Sequence, residues 1–159
     1  KMKRISSLFF VSLFFVACSY SSHLNTYEFS NGWKKNEIVT FDFNVPESKT
    51  TYNLFLLLRH NNNYSFSNIF LITQLKLAND SILIDTLEYK LSETSGKWLG
   101  EKRLSLVEHK LLFKKNIDLI KDSINYLSIR NSMRLNNVIS PIENLENILD
   151  LGLLIEPSK

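Results

Sequence analysis

The sequence predicts an all-β protein, a single antiparallel, jelly-roll-like β-sandwich with one short helix near its carboxyl end. Apolar residues recur with a two-residue period, clusters of turn residues separate these runs, and a single segment carries helix-start signals. Removing a predicted signal of 17 residues from the 159 leaves 159 − 17 = 142 residues. This is an ordinary length for one domain.

The first predicted strands follow Gly32 and Trp33. Apolar residues at every second position before Pro46 predict a half-buried strand: Val39, Phe41, Phe43 and Val45. The next run, 52–59, is almost continuously apolar, as expected of a strand covered on both faces. The run of asparagines at 61–63 predicts a turn after it.

The later strands follow the same pattern. Residues 69–77 form the next apolar run, residues 79–80 its turn, and residues 83–91 continue the two-residue period. Segments 104–107 and 110–113 are interpreted as one bent strand or two. Segments 124–130 and 149–155 complete the predicted set.

One short helix is predicted just before the last strand. Ser140 offers a capping hydroxyl, Pro141 occupies the first helical position, and Glu143 has capping-box spacing. Ile142, Leu145 and Ile148 would share one face of a helix that ends before Gly152.

The amino-terminal segment reads as an export signal. Two basic residues, Lys3 and Arg4, precede an apolar stretch at 5–16, which is shorter than the roughly 20 residues that span a bilayer. The following Phe15-Val16-Ala17-Cys18 resembles a bacterial lipobox, with Phe where Leu is usual. The resemblance implies that Cys18 carries covalent lipid and that the mature chain lies on the outer membrane, facing the periplasm. The alternative is a free, buried Cys18 thiol.

The predicted organisation is therefore a signal peptide over residues 1–17, a lipidated tether over 18–31 and one β-sandwich domain over 32–159. Without Lys1, Lys3 and Arg4 of the signal, 16 Lys and Arg face 16 Asp and Glu, so nucleic-acid binding is not expected. A single Cys excludes an internal disulfide and C-x-x-C motifs. No cofactor is expected beyond the lipid on Cys18.

Five residues are candidates for a partner or ligand surface: Arg59, Tyr64, Asn68, Trp98 and Arg134. Arg59, Tyr64 and Asn68 flank a predicted turn, where they either satisfy local charges and backbone or form a recognition site. Trp98 lies between Gly96 and Gly100, either as a lid over the core or as a stacking platform. Arg134 follows a strand, where a surface ion pair is the simpler role.

Catalytic constellations are not evident in the sequence. The histidines His23, His60 and His109 are far apart and have no metal-ligand spacing. Motifs such as G-x-S-x-G and H-E-x-x-H do not occur. The sequence therefore predicts a protein that is not an enzyme and binds no metal.

A series of motifs across the chain is similar to the gliding-motility lipoprotein H (GldH) family of Bacteroidetes. They are WKKNEIV at 33–39, YNLF at 52–55 running to Arg59, YSFSNIFL at 64–71, DTLEY at 85–89, WLG at 98–100, MR at 133–134 and DLGLLIE at 150–156. The chain has Glu101-Lys102 where members often have further glycines, and Asn147-Ile148 in place of a Gly-Ile pair.

The resemblance implies an outer-membrane lipoprotein that supports gliding and the linked type IX secretion machinery, with protein partners in an envelope complex. We therefore expect an accessory or structural subunit. A periplasmic module that binds glycan or peptidoglycan through Trp98 and the Arg59 turn is the alternative.

Overall fold

The computed structural model describes residues 23–46, 51–135 and 140–158. These residues contain antiparallel strands and no helix, so the all-β, antiparallel part of the fold prediction is confirmed. The strands are β1 His23–Glu28, β2 Trp33–Lys34, β3 Val39–Phe43, β4 Thr51–Asn61, β5 Asn68–Lys76, β6 Ile82–Lys90, β7 Glu101–Arg103, β8 Leu106–Asp118, β9 Asn125–Asn131, β10 Asn144–Leu145 and β11 Ile148–Pro157.

Two larger sheets carry most of the described chain. The first has five strands in the order β1-β11-β4-β8-β7, and the second has four in the order β3-β9-β5-β6. A two-stranded ribbon, β10-β2, lies beside them. Segments 104–107 and 110–113, left open as one strand or two, contribute mainly to the single strand β8.

The two sheets share one hydrophobic core, because alternate side chains of each strand are buried. In β4 the inward side chains are those of Tyr52, Leu54, Leu56 and Leu58, while their neighbours are only partly covered. Leu71 and Leu75 of β5 and Leu127 and Ile129 of β9 belong to the same cluster from the second sheet. A shared core of this kind is what a β-sandwich requires.

The two ends of the sheets differ in what they contain. The entry end contains His23, where β1 begins, together with the carboxyl ends of β3 and β8. The far end contains His60 and Asn61 of β4, Asn131 of β9 and the short ribbon. Because β4 has 11 residues, it runs about 37 Å between these ends.

The predicted helix near the carboxyl end is wrong. Asn144 and Leu145 instead pair with Lys34 and Trp33, and Leu145 and Trp33 are fully buried. Asn147 then adopts a left-handed φ of 69°, which a helix cannot accommodate. Burial of Leu145 beside Trp33 within the ribbon therefore outweighs a local capping pattern too short to nucleate a stable helix alone.

The predicted tether needs a correction where it meets the domain. His23–Glu28, assigned to the tether, form edge strand β1 and pair with β11 from Ile155 to Asp150. The side chains of this strand are mostly exposed, which is why it lacks an alternating pattern. The predicted signal peptide at 1–17 and Cys18 lie outside the described residues.

Candidate functional site

A pair of buried histidines lies at the far end of the core. Neighbouring strands β4 and β8 supply His60 and His109, and both side chains point inward. Their Nε2 atoms are 3.0 Å apart, which is hydrogen-bonding distance. The fold thus brings together two histidines that are 49 positions apart in the sequence.

The hydrogen-bond partners indicate which nitrogen of each histidine ring carries the proton. The Nδ1 atom of His60 is 2.7 Å from the backbone oxygen of Asn61, and a carbonyl can only accept, so Nδ1–H is the donor. In a neutral ring the Nε2 of His60 is then the acceptor, and His109 donates its Nε2–H. In this arrangement the two Nε2 atoms form a hydrogen bond with each other while both imidazoles are neutral.

Burial keeps both rings neutral. Desolvation lowers the pKa of His60, against the opposing effect of its bond to the Asn61 carbonyl. Desolvation together with the proximity of His60 lowers the pKa of His109 to about 4. A proton on either ring would lie in an apolar core beside a second imidazole, so the charged form is disfavoured.

Aromatic rings enclose the histidine pair. The Trp98 ring centroid is 4.5 Å from that of His60 in an edge-on arrangement, and the Tyr64 ring is 5.1 Å from it. Burial also raises the pKa of Tyr64. The Trp98 side chain is half-buried against the core, which agrees with its interpretation as a lid.

Gly100 allows the Trp98 loop to approach β8 closely. A Cβ atom at this position would lie 2.8 Å from Nδ1 of His109 and closer still to the backbone oxygen of Glu108. No side chain fits in that space without a shift of the backbone. The Trp98-Leu99-Gly100 motif is therefore explained by packing onto the histidine strand.

Arg59 lies on the other side of the same sheet. Adjacent residues of a strand point to opposite faces, so Arg59 points outward where His60 points inward. Its Nε atom donates to the nearly buried carboxylate of Asp150 at 2.7 and 2.8 Å. That hydrogen bond, with smaller contributions from Glu108 and Glu28, raises the pKa of Arg59 despite partial burial.

The five candidate residues consequently do not form one surface. Tyr64 and Trp98 contact each other on the core side, whereas Arg59 is separated from them by the sheet. The Asn68 side chain donates to Glu88 at 2.7 Å, and its backbone oxygen accepts from the Tyr64 hydroxyl at 3.2 Å. Arg134 is exposed at a bridge to Pro141, and within the described residues it has no ion-pair partner.

Sequence reasoning missed the histidine pair although a usable signal was present. His60 continues the buried alternation of Leu56 and Leu58, and His109 falls in step with Val107 and Leu111. Both histidines therefore had to point inward. Their pairing depends on the register of β4 against β8, in which Leu58 lies opposite His109.

Neither a metal centre nor a membrane-spanning helix is found in the described part of the chain. No group of three or more His, Cys, Asp or Glu side chains is placed there to hold a metal ion. The same residues include no helix long and apolar enough to cross a bilayer. The class defined by these features is an all-β domain with an internal histidine pair and a lipoprotein-like leader.

Comparison with known proteins gives the family. The model of the GldH lipoprotein family matches residues 22–155. A gliding motility lipoprotein GldH homolog from Christiangramia forsetii is 35% identical over 149 residues, covering 94% of this chain and 92% of that protein. Gliding motility lipoprotein GldH from Flavobacterium johnsoniae is 32% identical over 158 residues, 98% of each chain. The chain belongs to the GldH lipoprotein family, as the motif series predicted.

A likeness among solved structures is weak. Dimeric latent PorU from Porphyromonas gingivalis is 11% identical, with a TM-score of 0.36, and covers 87% of this chain and 13% of that one. Similarity at this level supports no conclusion about the present chain.

Proposed function

We propose that this chain is a lipid-anchored, non-catalytic component of the gliding-motility machinery, built as a two-layer β-sandwich. The observation that carries the proposal is a match to named gliding motility lipoproteins over almost the whole chain. The lipobox-like segment that ends at Cys18 supports the anchor.

Lipid on Cys18 makes membrane attachment stable. Each buried CH₂ group contributes about 0.8 kcal/mol, so a single acyl chain binds reversibly whereas two or three hold permanently. Lipobox cysteines carry two or three chains. The domain then acts from a fixed position on a membrane, which suits a structural or accessory subunit of an envelope complex.

The proposed location is the periplasmic face of the outer membrane, with a role linked to type IX secretion. The residue directly after the cysteine is Ser19, whereas an acidic residue there would favour a different location in the cell envelope. The first acidic residue is Glu28. Separation of the two membranes by density tests the outer-membrane location. Protease treatment of intact cells tests the periplasmic side. Cleavage of this protein in intact cells would contradict the periplasmic side.

Complementation of a deletion strain tests the function. Deleting the gene is expected to impair colony spreading or adhesin export, and the wild-type gene restores both. Cys18→Ser should accumulate as protein but fail to restore them, whereas the neighbouring Ser19→Ala should restore them fully. Normal spreading together with a normal secretome in the deletion strain would remove this role.

A glycan-binding module is less well supported by the geometry. Sugar recognition needs an exposed aromatic ring beside polar groups in one groove. Trp98 packs its ring against His60, and Arg59 lies across the sheet from it. We expect no retention of the protein by purified peptidoglycan or by immobilised glycans, and saturable retention that Trp98→Ala abolishes would reverse this judgement.

A further inference from the structure

The entry end of the domain presents apolar side chains to solvent. Leu24 of β1 and Ile120 and Ile124 of the β8–β9 loop are each 53% exposed. Ile124 lines a surface groove together with His23 and Phe43 beside the point at which the chain enters the sheet, whereas Leu24, the next residue of β1, lies on the opposite face of that strand. Ile120 and Ile124 are thus two large apolar side chains exposed on one loop at the entry end, as at a contact surface.

The β8–β9 loop holds its isoleucines outward in a fixed conformation. Leu119 is buried and fastens one side of the loop to the core. The backbone N–H of Asp122 donates to the Val45 oxygen at 3.0 Å, and the N–H of Ser123 donates to the Ile120 oxygen at 3.3 Å. Ile120 and Ile124 are therefore exposed on an ordered loop, and their side chains are not part of the hydrophobic core.

The length of the chain before β1 limits what can lie opposite this end. Cys18 precedes His23 by five positions, and an extended chain covers at most about 3.5 Å per residue, or roughly 18 Å in all. The far end lies a further ~37 Å away along β4. A lipid on Cys18 therefore keeps the entry end, and not the far end, next to the bilayer.

We propose that Ile120 and Ile124, here called the entry rim, insert into the interfacial region of the bilayer that holds the lipid of Cys18. This inference depends on the lipid anchor of the proposed function and adds an orientation to it. The occupant is a phospholipid surface, and the contact leaves the histidine pair, Trp98 and Arg134 directed away from the membrane.

The charges around the entry rim indicate an apolar contact. Lys121 lies 3.7 Å from Asp122, and Lys76 lies 3.2 Å from Asp80 in a neighbouring turn, so these basic groups are already paired. Attraction between a protein and anionic lipid weakens with salt. Because the described residues around the entry rim include no unbalanced basic cluster, its contact with lipid should change little between low and high salt.

An environment-sensitive fluorophore tests the orientation in the intact lipoprotein. Cys18 is the only natural cysteine, and its thiol is acylated in the mature protein, so Ile124→Cys offers a single reactive thiol for labelling. Leu104→Cys is the matched control, since Leu104 is 96% exposed in the turn between β7 and β8 at the far end. Both labelled lipoproteins are reconstituted into phosphatidylcholine–phosphatidylglycerol vesicles with and without spin-labelled lipid.

The label at position 124 should shift its emission to the blue and be quenched several-fold more strongly than the label at 104. Ile120→Ser, added to Ile124→Cys, should weaken the shift while the protein still floats with the vesicles. A domain that is tethered without contact keeps the label in water, so flotation with equal quenching at 124 and 104 overturns the inference and leaves the lipoprotein assignment intact. Failure to float, with an unmodified Cys18 by mass, overturns both.

Discussion

The buried histidine pair should make the domain sensitive to mild acid. Protonating His60 or His109 requires a charge in the core, whereas both titrate freely once the chain unfolds. The pKa values of both are lowered in the folded protein, so the unfolded state binds more protons as the pH falls below the ordinary histidine value of 6.5. Stability is therefore complete above pH 6.5 and decreases below it.

The size of the effect follows from the two pKa values of His109. With 6.5 in the unfolded chain and about 4 in the folded one, the linkage relation gives a loss of about 2 kcal/mol between pH 7 and pH 5. The full loss reaches roughly 3 kcal/mol when the pH falls through 4. His60 acts in the same direction. Most carboxylates stay ionised down to pH 5, so this window isolates the histidines.

Urea unfolding at pH 7 and pH 5 measures this difference, using tryptophan fluorescence of the mature chain with Cys18→Ser. His109→Gln keeps an amide N–H donor near the position of Nε2 but does not titrate, so its free energy of unfolding should depend less on pH by about 2 kcal/mol. His23→Gln is the control, because His23 is an exposed residue at the start of β1. The reasoning fails if the wild type and His109→Gln lose the same stability between the two pH values.

Three further substitutions test packing and charge, with an exposed ion pair as a control. Arg59→Gln leaves the carboxylate of Asp150 without its ion pair, and urea unfolding should show a loss of about 1–2 kcal/mol. Glu101→Gln, at an exposed pair, should change stability by less than about 0.5 kcal/mol, and equal losses would contradict the distinction. Gly100→Ala should lose about 1–3 kcal/mol in the same assay, because its Cβ meets a backbone carbonyl, and an unchanged midpoint would refute that close approach. Leu104→Asn should raise the Tm by a few degrees, as the left-handed φ of 56° suits Asn better than Leu; a lower Tm would count against this.

Much of the sheet structure could be predicted from periodicity alone. The runs at 69–77, 83–91 and 124–130 correspond within two residues to β5, β6 and β9, because one face of each strand is covered, fully in β5 and β9 and partly in β6. Strand β1 could not be found in this way, since an edge strand with exposed side chains has no apolar alternation. The helix prediction failed because a local capping pattern says nothing about Trp33, more than a hundred positions earlier.

The candidate site shows the same limit more sharply. The alternation along each strand predicts that His60 and His109 point inward. Their contact, however, depends on the register between β4 and β8. The predicted recognition site of Arg59, Tyr64 and Asn68 assumed that residues around one turn share one surface. A strand separates neighbours onto opposite faces, and Asp150, which binds Arg59, comes from β11 near the other end of the sequence.

The position of β1 has a mechanical consequence. The lipid anchor proposed at Cys18 would precede β1, and β1 runs from His23 beside β11 through six paired positions. When the membrane pulls on the anchor and a partner holds the far end, the force acts along the strand. Backbone hydrogen bonds lie across this direction, so they are loaded together in shear instead of opening one after another like a zipper. An edge strand that follows the proposed anchor would thereby resist a pull along its length better than a pull across it.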